Sequence, residues 1–231
     1  MCHTLILHPP GGIAGGDQLE IGIRLQAGAQ VLVTLPGASK WYRSRDAAAT
    51  QRVRVSVAAG AALEWLPPET IVFNEAAAIM QTSIDLAAGG SYIGWEILCL
   101  GRTASGERFD AGNIRQTTEI TVAGELIWSE RCHLAGGSGL LTSAAGLGGA
   151  PVSAVMLAAG KSVIPELVAQ CRDMKPGDGA RCGITAMPNV FAARYVGHSG
   201  EQAKCYFIDL WRLLRPFFAG RAAVTPRIWT T

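Results

Sequence analysis

The chain has 231 residues and a formal net charge of +2, with 49% apolar and only 16% charged residues. That length can bury a sizeable core as one domain, and so small a net charge leaves no long-range field to draw in nucleic acid or an anionic membrane. A charged fraction below the roughly 25% of an ordinary domain points to apolar surface that belongs under a partner, although small side chains in an ordinary core account for it equally well.

The first informative stretch is 8–17, where two prolines and four glycines surround one aliphatic pair and end on Asp17. Proline fixes φ and glycine reaches positive φ, so the stretch is a shaped loop whose backbone amides are free to point at something. Asp17 opens an alternating run, with Leu19, Ile21, Ile23 and Leu25 on one face, which predicts a half-buried strand. A short apolar run over 31–35 ends at the turn signal Pro36-Gly37. Next, 39–45 mixes Trp41 and Tyr42 with Lys40, Arg43 and Arg45, the composition of a contact surface; a strand edge fits it as well. Val53, Val55 and Val57 alternate with Arg52, Arg54 and Ser56, and the theme returns over 61–66, 80–86, 92–100, 114–122 and 125–132. Short strands separated by Gly, Pro and Asn clusters predict a mainly β fold: a sandwich, a barrel or a flattened solenoid.

The period changes late in the chain. Val163, Ile164, Leu167, Val168 and Cys171 share a helical face behind Ser162 as a cap, with Pro165 in the first turn. Strands over 182–187 and 190–196 then lead to a second helix over 201–214, which Pro216 is expected to stop. The uncharged stretch 134–160 is too rich in glycine and hydroxyl residues for a membrane span. Six cysteines without Cys-x-x-Cys spacing read as free thiols in a reducing compartment. No basic and apolar leader opens the sequence, so a cytoplasmic location is expected.

The search for chemistry yields mostly exclusions. Gly160-Lys161-Ser162 lacks the first glycine of a phosphate-binding loop, because Val155 stands there. Gly136-Gly137-Ser138-Gly139 fails the nucleophile-elbow pattern at Leu140, which leaves a hydrolase built on Ser138 or His133 as one alternative and a β-rich small-molecule binder as another. More informative are carboxylates set inside apolar strands: Glu64, Glu96 and Glu130. An ionised carboxylate is costly to bury, so each either pairs with an arginine, for example Glu130 with Arg102 or Arg131, or faces water. In the second case Glu96 and Glu130, joined by Asp17, line a wet internal passage whose oxygens could hold a divalent cation weakly. The apolar tail, with Phe217, Phe218 and Trp229, is expected to dock on the sheet or on a partner.

The segments HPPGGIAGGD (8–17), LPGASKWYRS (35–44), LEWLPPETIVF (63–73), GWEILCLGR (94–102) and LRPFFAGRAAVTPRIWT (214–230) together resemble the urease accessory protein UreD family, also called UreH, in the family's order and along the whole chain. The resemblance implies a helix-like stack or sandwich of short strands with two α-helices near the C-terminus. It also implies a non-catalytic scaffold and nickel chaperone that holds no tightly bound cofactor and links apo-urease to UreF and, through UreF, to the GTPase UreG. On that reading Asp17, Glu96 and Glu130 carry nickel in transit, with Cys2, His3 and His8 as further contacts. Trp41, Tyr42, Arg43, Phe217, Phe218, Arg227 and Trp229 then belong to partner interfaces. Members of the family usually carry several dozen residues ahead of the loop, so strands preceding Met1 are expected to be absent here.

Overall fold

A computed structural model describes residues 1–229. After an exposed edge strand β1 (Cys2–Leu5), the chain winds as a coil between two sheets. It passes from β2 (Gln18–Leu25) in one sheet to β3 (Gln30–Thr34) and β4 (Ser39–Trp41) in the other, and back through β5 (Ala49–Val57). The path repeats as β6 (Ala62–Trp65), β7 (Thr70–Val72), β8 (Ala77–Leu86), β9 (Ser91–Leu100) and β10 (Asn113–Val122). Each strand therefore pairs parallel with the equivalent strand of another turn, β2 with β5, β5 with β8, β8 with β10, and β3 with β6 and β6 with β9. This is the stacking of a solenoid, in which each turn is held by its neighbours.

The later chain closes the coil with antiparallel strands. β11 (Glu125–Ala135) lines the edge of the smaller sheet beside β10. After a short helix α1 (Gly139–Thr142), β12 (Val152–Ala159) pairs with β9, and the hairpin of β13 (Arg181–Met187) and β14 (Val190–Gly197) extends the larger sheet beyond β12. Helix α2 (Pro165–Asp173) lies between β12 and β13 in the chain, and α3 (Gly200–Ala219) follows β14.

Three apolar clusters hold these layers together. Two fill the space between the sheets: Val55, Leu63, Trp65, Ile84 and Ile120 in one, and Trp41, Val72, Ala78, Leu98 and Ile114 in the other. The third packs Phe207, Leu210, Trp211 and Leu214 of α3 on the outer face of the larger sheet, against Trp95, Ile97, Met156, Phe191 and Tyr195. Burying each such side chain contributes about 1.5–3 kcal/mol, so the helices and the sheet stabilise one another.

Several expectations need correction. Ser162 does not cap α2; its hydroxyl instead accepts the Asn189 amide at 3.0 Å, and the helix begins at Pro165, whose missing N–H needs no partner there. Pro216 does not stop the second long helix. That helix starts where Ser199 Oγ accepts the Gln202 amide at 3.2 Å, and it runs on through Pro216 to Gly220 in the left-handed region at φ 66°. The last turn holds because Phe218 is buried and because the Gly220 N–H closes on the Pro216 carbonyl at 3.0 Å. The uncharged stretch contains β12, a central strand, and no helix among the described residues is long and apolar enough to cross a membrane. The six cysteines are free thiols.

Candidate functional site

The loop 8–17 is shaped by its neighbours. Ile13 is buried and bridges to Trp41, its N–H donating to Lys40 O at 2.7 Å, while its carbonyl accepts the Tyr42 amide at 2.9 Å. Gly12 lies so close to the Tyr42 ring that a Cβ would come within 2.4 Å of Cε2. Asp17 is exposed and turns back on the loop, with Oδ2 accepting the Ala14 amide at 2.8 Å. The amides of Gly11, Ile13, Ala14 and Asp17 are thus used within the fold, contrary to the expectation that they point outward.

Beside this loop lies a groove of about 490 Å³ walled by His8, Gly12, Glu20 and Lys40 among others. It shares Ile21, Leu35, Ser39 and Gln51 with a smaller cavity of about 50 Å³ between the sheets, whose walls include Thr82, Glu96 and Gln116. At roughly 30 Å³ per molecule, the inner cavity has room for a water or two.

Glu96 sits at this inner end because β9 alternates, sending Tyr92, Glu96 and Leu98 toward the other sheet and Trp95 and Ile97 toward the helices. Thr82 donates to Glu96 Oε1 at 3.1 Å, and the Gln116 amide nitrogen donates to Oε2. Burial pushes the Glu96 carboxyl above its ordinary value, those two hydrogen bonds oppose the shift, and the charge of Glu130 adds to it. The Tyr92 phenol is raised by burial and then by the charge of Glu96. Glu130 is half-buried and pairs with Arg194 at 2.6 Å, its other oxygen buried and unpartnered. In the smaller sheet Thr82, Thr118 and Glu130 occupy one row across three strands, with Met80, Gln116 and Cys132 in the next. A polar belt therefore crosses the sandwich between its two apolar clusters.

The structure brings Glu96 and Glu130 into electrostatic reach of each other and leaves the other proposed ligands apart. Cys2 and His3 are exposed on β1, where burial and then Arg215 lower the His3 imidazole, and His8 lines the outer groove. Among the described residues no three His, Cys, Asp or Glu side chains are placed to hold one ion. Glu64 lies on the opposite face of the larger sheet, in a buried ion pair with Arg215 of α3 at 2.8 Å. Glu130 uses neither Arg102 nor Arg131, which pair with Glu107 and Glu119. Among the described residues no arginine pairs with Glu96, which sets aside the ion pair expected for it as one alternative.

The proposed interface residues also divide. Trp41 is 1% exposed and belongs to the core, which corrects its place on a contact surface. Tyr42 and Arg43 do line a surface pocket with Phe73 and Arg102, where Tyr42 meets Phe73 edge-on at 5.1 Å and Arg102 lies 4.5 Å over the Phe73 ring. Phe218 is buried, and Trp229 docks on the larger sheet, its indole N–H donating to Thr34 Oγ1 at 3.0 Å and its ring 5.8 Å from that of Trp95. Phe217 is half-buried and Arg227 exposed.

Thr82, Gln116, Thr118 and Arg194 escaped the sequence reading. A signal for the first three was present: each is a polar residue in phase with the apolar face of its strand, Thr82 between Met80 and Ile84, and Gln116 and Thr118 between Ile114 and Ile120.

The model of the UreD urease accessory protein family matches residues 1–230. A urease accessory protein UreD of Methylobacillus flagellatus is 45% identical over 231 residues, covering all of this chain and 81% of its own. That of Dechloromonas aromatica is 48% identical over 238 residues with the same coverage, and that of Nitrosococcus oceani is 46% identical over 231, covering 77% of its own length. A match along the whole chain places this chain in the urease accessory protein UreD family.

Proposed function

We propose that this protein, which as a UreD family member serves urease maturation, does so as a non-catalytic scaffold that passes nickel toward apo-urease through its polar belt. The observation that supports this reading is a line of oxygen and amide groups, Gln51, Thr82, Glu96, Gln116 and Glu130, laid through an otherwise apolar sandwich. A structural ion pair needs one cation per carboxylate, and Glu96 has none, being held by two neutral donors. Hard and borderline divalent cations prefer such oxygen donors, and a set with one to two carboxylates binds them weakly enough to release them. His8 at the groove is the entry contact, Glu96 the narrow point, and Glu130 the exit side. Nickel is cargo here.

The surface formed by the exposed Arg43 and Arg102 with the half-buried Tyr42 and Phe73 is a docking face, since aromatic rings and arginines are the side chains that carry most binding energy at interfaces. The partners are apo-urease on one side and UreF on the other, with the GTPase UreG reached through UreF, all in the cytoplasm. The hydrolase alternative is disfavoured by His133 pairing with Asn113 at 3.0 Å while Ser138 Oγ has no hydrogen-bond partner among the described residues.

The test is nickel per urease active site, measured beside the yield of the accessory complex, for Glu96→Gln with Glu130→Gln. Both changes keep the side-chain shape, and the part-exposed Glu130–Arg194 pair contributes under about 1 kcal/mol. The double variant is expected to assemble normally and to deliver less nickel. Full nickel loading, or a fall in assembly that matches the fall in nickel, overturns the passage.

A further inference from the structure

The glycine-rich loop 136–139 was singled out in the sequence and has no part in the polar belt. It forms one side of a separate pocket of about 260 Å³, which shares no lining residue with the groove or the inner cavity. Glycine is required there by close approach. A Cβ on Gly136 would lie 2.4 Å from the Ala111 carbonyl carbon, and one on Gly137, already at φ +67°, would lie 2.7 Å from Asp110 O. The loop is thereby pressed against 109–111, which fixes the distance between Ser138 on one wall and Phe109 on the other.

The lining is chemically two-sided. Leu100, Phe109, Leu141 and Pro151 make an apolar wall, while Arg108, His198 and the hydroxyls of Thr103, Ser138 and Thr142 supply donors. These donors are under-used. Ser138 Oγ is buried with no partner, His198 has no side-chain hydrogen bond among the described residues, and Arg108 is held only by a 3.8 Å contact with the exposed Asp110. Buried hydroxyls in native proteins are nearly always satisfied, and a serine reaches a new partner by one staggered rotation toward the cavity that it lines. Among the described residues nothing is hydrogen-bonded to the Ser138 hydroxyl, which leaves it available to a ligand.

We propose that this pocket binds a small organic anion, an oxyanion head on a compact apolar body, with Arg108 and Ser138 on the head and Phe109 and Leu141 against the body. The guanidinium fork suits either a carboxylate or a phosphate, and the volume suits a ligand of roughly ten heavy atoms, well below drug size.

Calorimetric titration of the full chain with benzoate, with phenyl phosphate and with phenol tests the assignment at constant ionic strength. Saturable binding of either anion, with phenol far weaker, is expected; which anion is preferred identifies the head as carboxylate or phosphate. Arg108→Ala and Ser138→Ala should each weaken that binding by about tenfold, the loss for one hydrogen bond to a charged group. Neither change creates a cavity in the core, and an unchanged melting temperature confirms the fold. The proposal is overturned if neither anion saturates, if phenol binds as well as they do, or if both variants bind like the parent.

Discussion

The ion pair between Glu64 and Arg215 makes the sharpest stability prediction. It joins β6 to α3 with 1% and 3% of the two side chains exposed. Arg215 also donates to the Ala222 carbonyl at 3.0 Å, lies 4.8 Å over the Trp211 ring and touches the Met1 sulfur. Arg215→Met keeps most of the apolar stem and strands the carboxylate, so the expected loss is about 3–5 kcal/mol. For a chain of this size a kilocalorie moves the melting temperature by roughly 2–4 °C, giving a fall of about 10 °C in calorimetric or circular-dichroism melts at pH 7.5. Burial already raises the Glu64 carboxyl, with Arg215 pulling the other way, so the variant's pH profile has a definite sign. A carboxyl whose folded value is raised takes up its proton in the fold before the unfolded chain does, so the variant regains stability as pH falls from 8 toward 5.5. Glu64→Gln combined with Arg215→Met removes the buried charge and should recover most of the loss. The reasoning is refuted if Arg215→Met costs under about 1 kcal/mol, or if the double variant melts no higher than the single one.

Four further outcomes are expected. Trp229→Ala removes the bond to Thr34 and the contacts with Trp95 and Trp211, for an expected loss of about 3–5 kcal/mol, and deletion of 216–231 should yield insoluble protein, so a soluble, folded truncated chain would count against the docked tail. Lys161 donates to the Phe217 and Phe218 carbonyls at 3.1 Å, which makes it a cap on the end of α3; Lys161→Ala should lower the melting temperature by a few degrees, about 1 kcal/mol, and calorimetry with GTP and magnesium should register no binding to either form of the isolated chain.

The turns of the coil were legible because one face of each strand is buried: Val53, Val55 and Val57 announce β5, and Met80, Ile84 and Leu86 announce β8. Parallel pairing was not legible, since alternation is the same in either direction. β12 is illegible for the opposite reason. Buried on both faces between β9 and β14, it carries an almost continuous apolar run with no alternation to read. At the site, Glu96 stood out as a carboxylate in an apolar strand, whereas its partners Thr82 and Gln116 come from other strands and look unremarkable alone. Asp17 has a local use that its sequence pattern did not announce, its carboxylate accepting the Ala14 amide three residues back. Contacts such as Glu64 with Arg215, 151 positions apart, leave no trace in a single sequence.

The way the last residues fasten the first ones bears on how the chain leaves the ribosome. Arg215 reaches Glu64 and Met1, Trp229 reaches Thr34, Gln30 donates to the Ala219 carbonyl at 3.3 Å, and Ser91 donates to that of Phe218 at 3.2 Å. Every early strand of the larger sheet that α3 covers must therefore wait, after its own synthesis, for more than a hundred further residues to emerge. At roughly 5–20 residues per second that is a delay of order ten seconds or more, during which Trp95, Ile97 and Leu32 have no cover. A nascent chain in that state is a client for holding chaperones, and slowing translation late in the message should increase its aggregation without altering any contact of the finished fold.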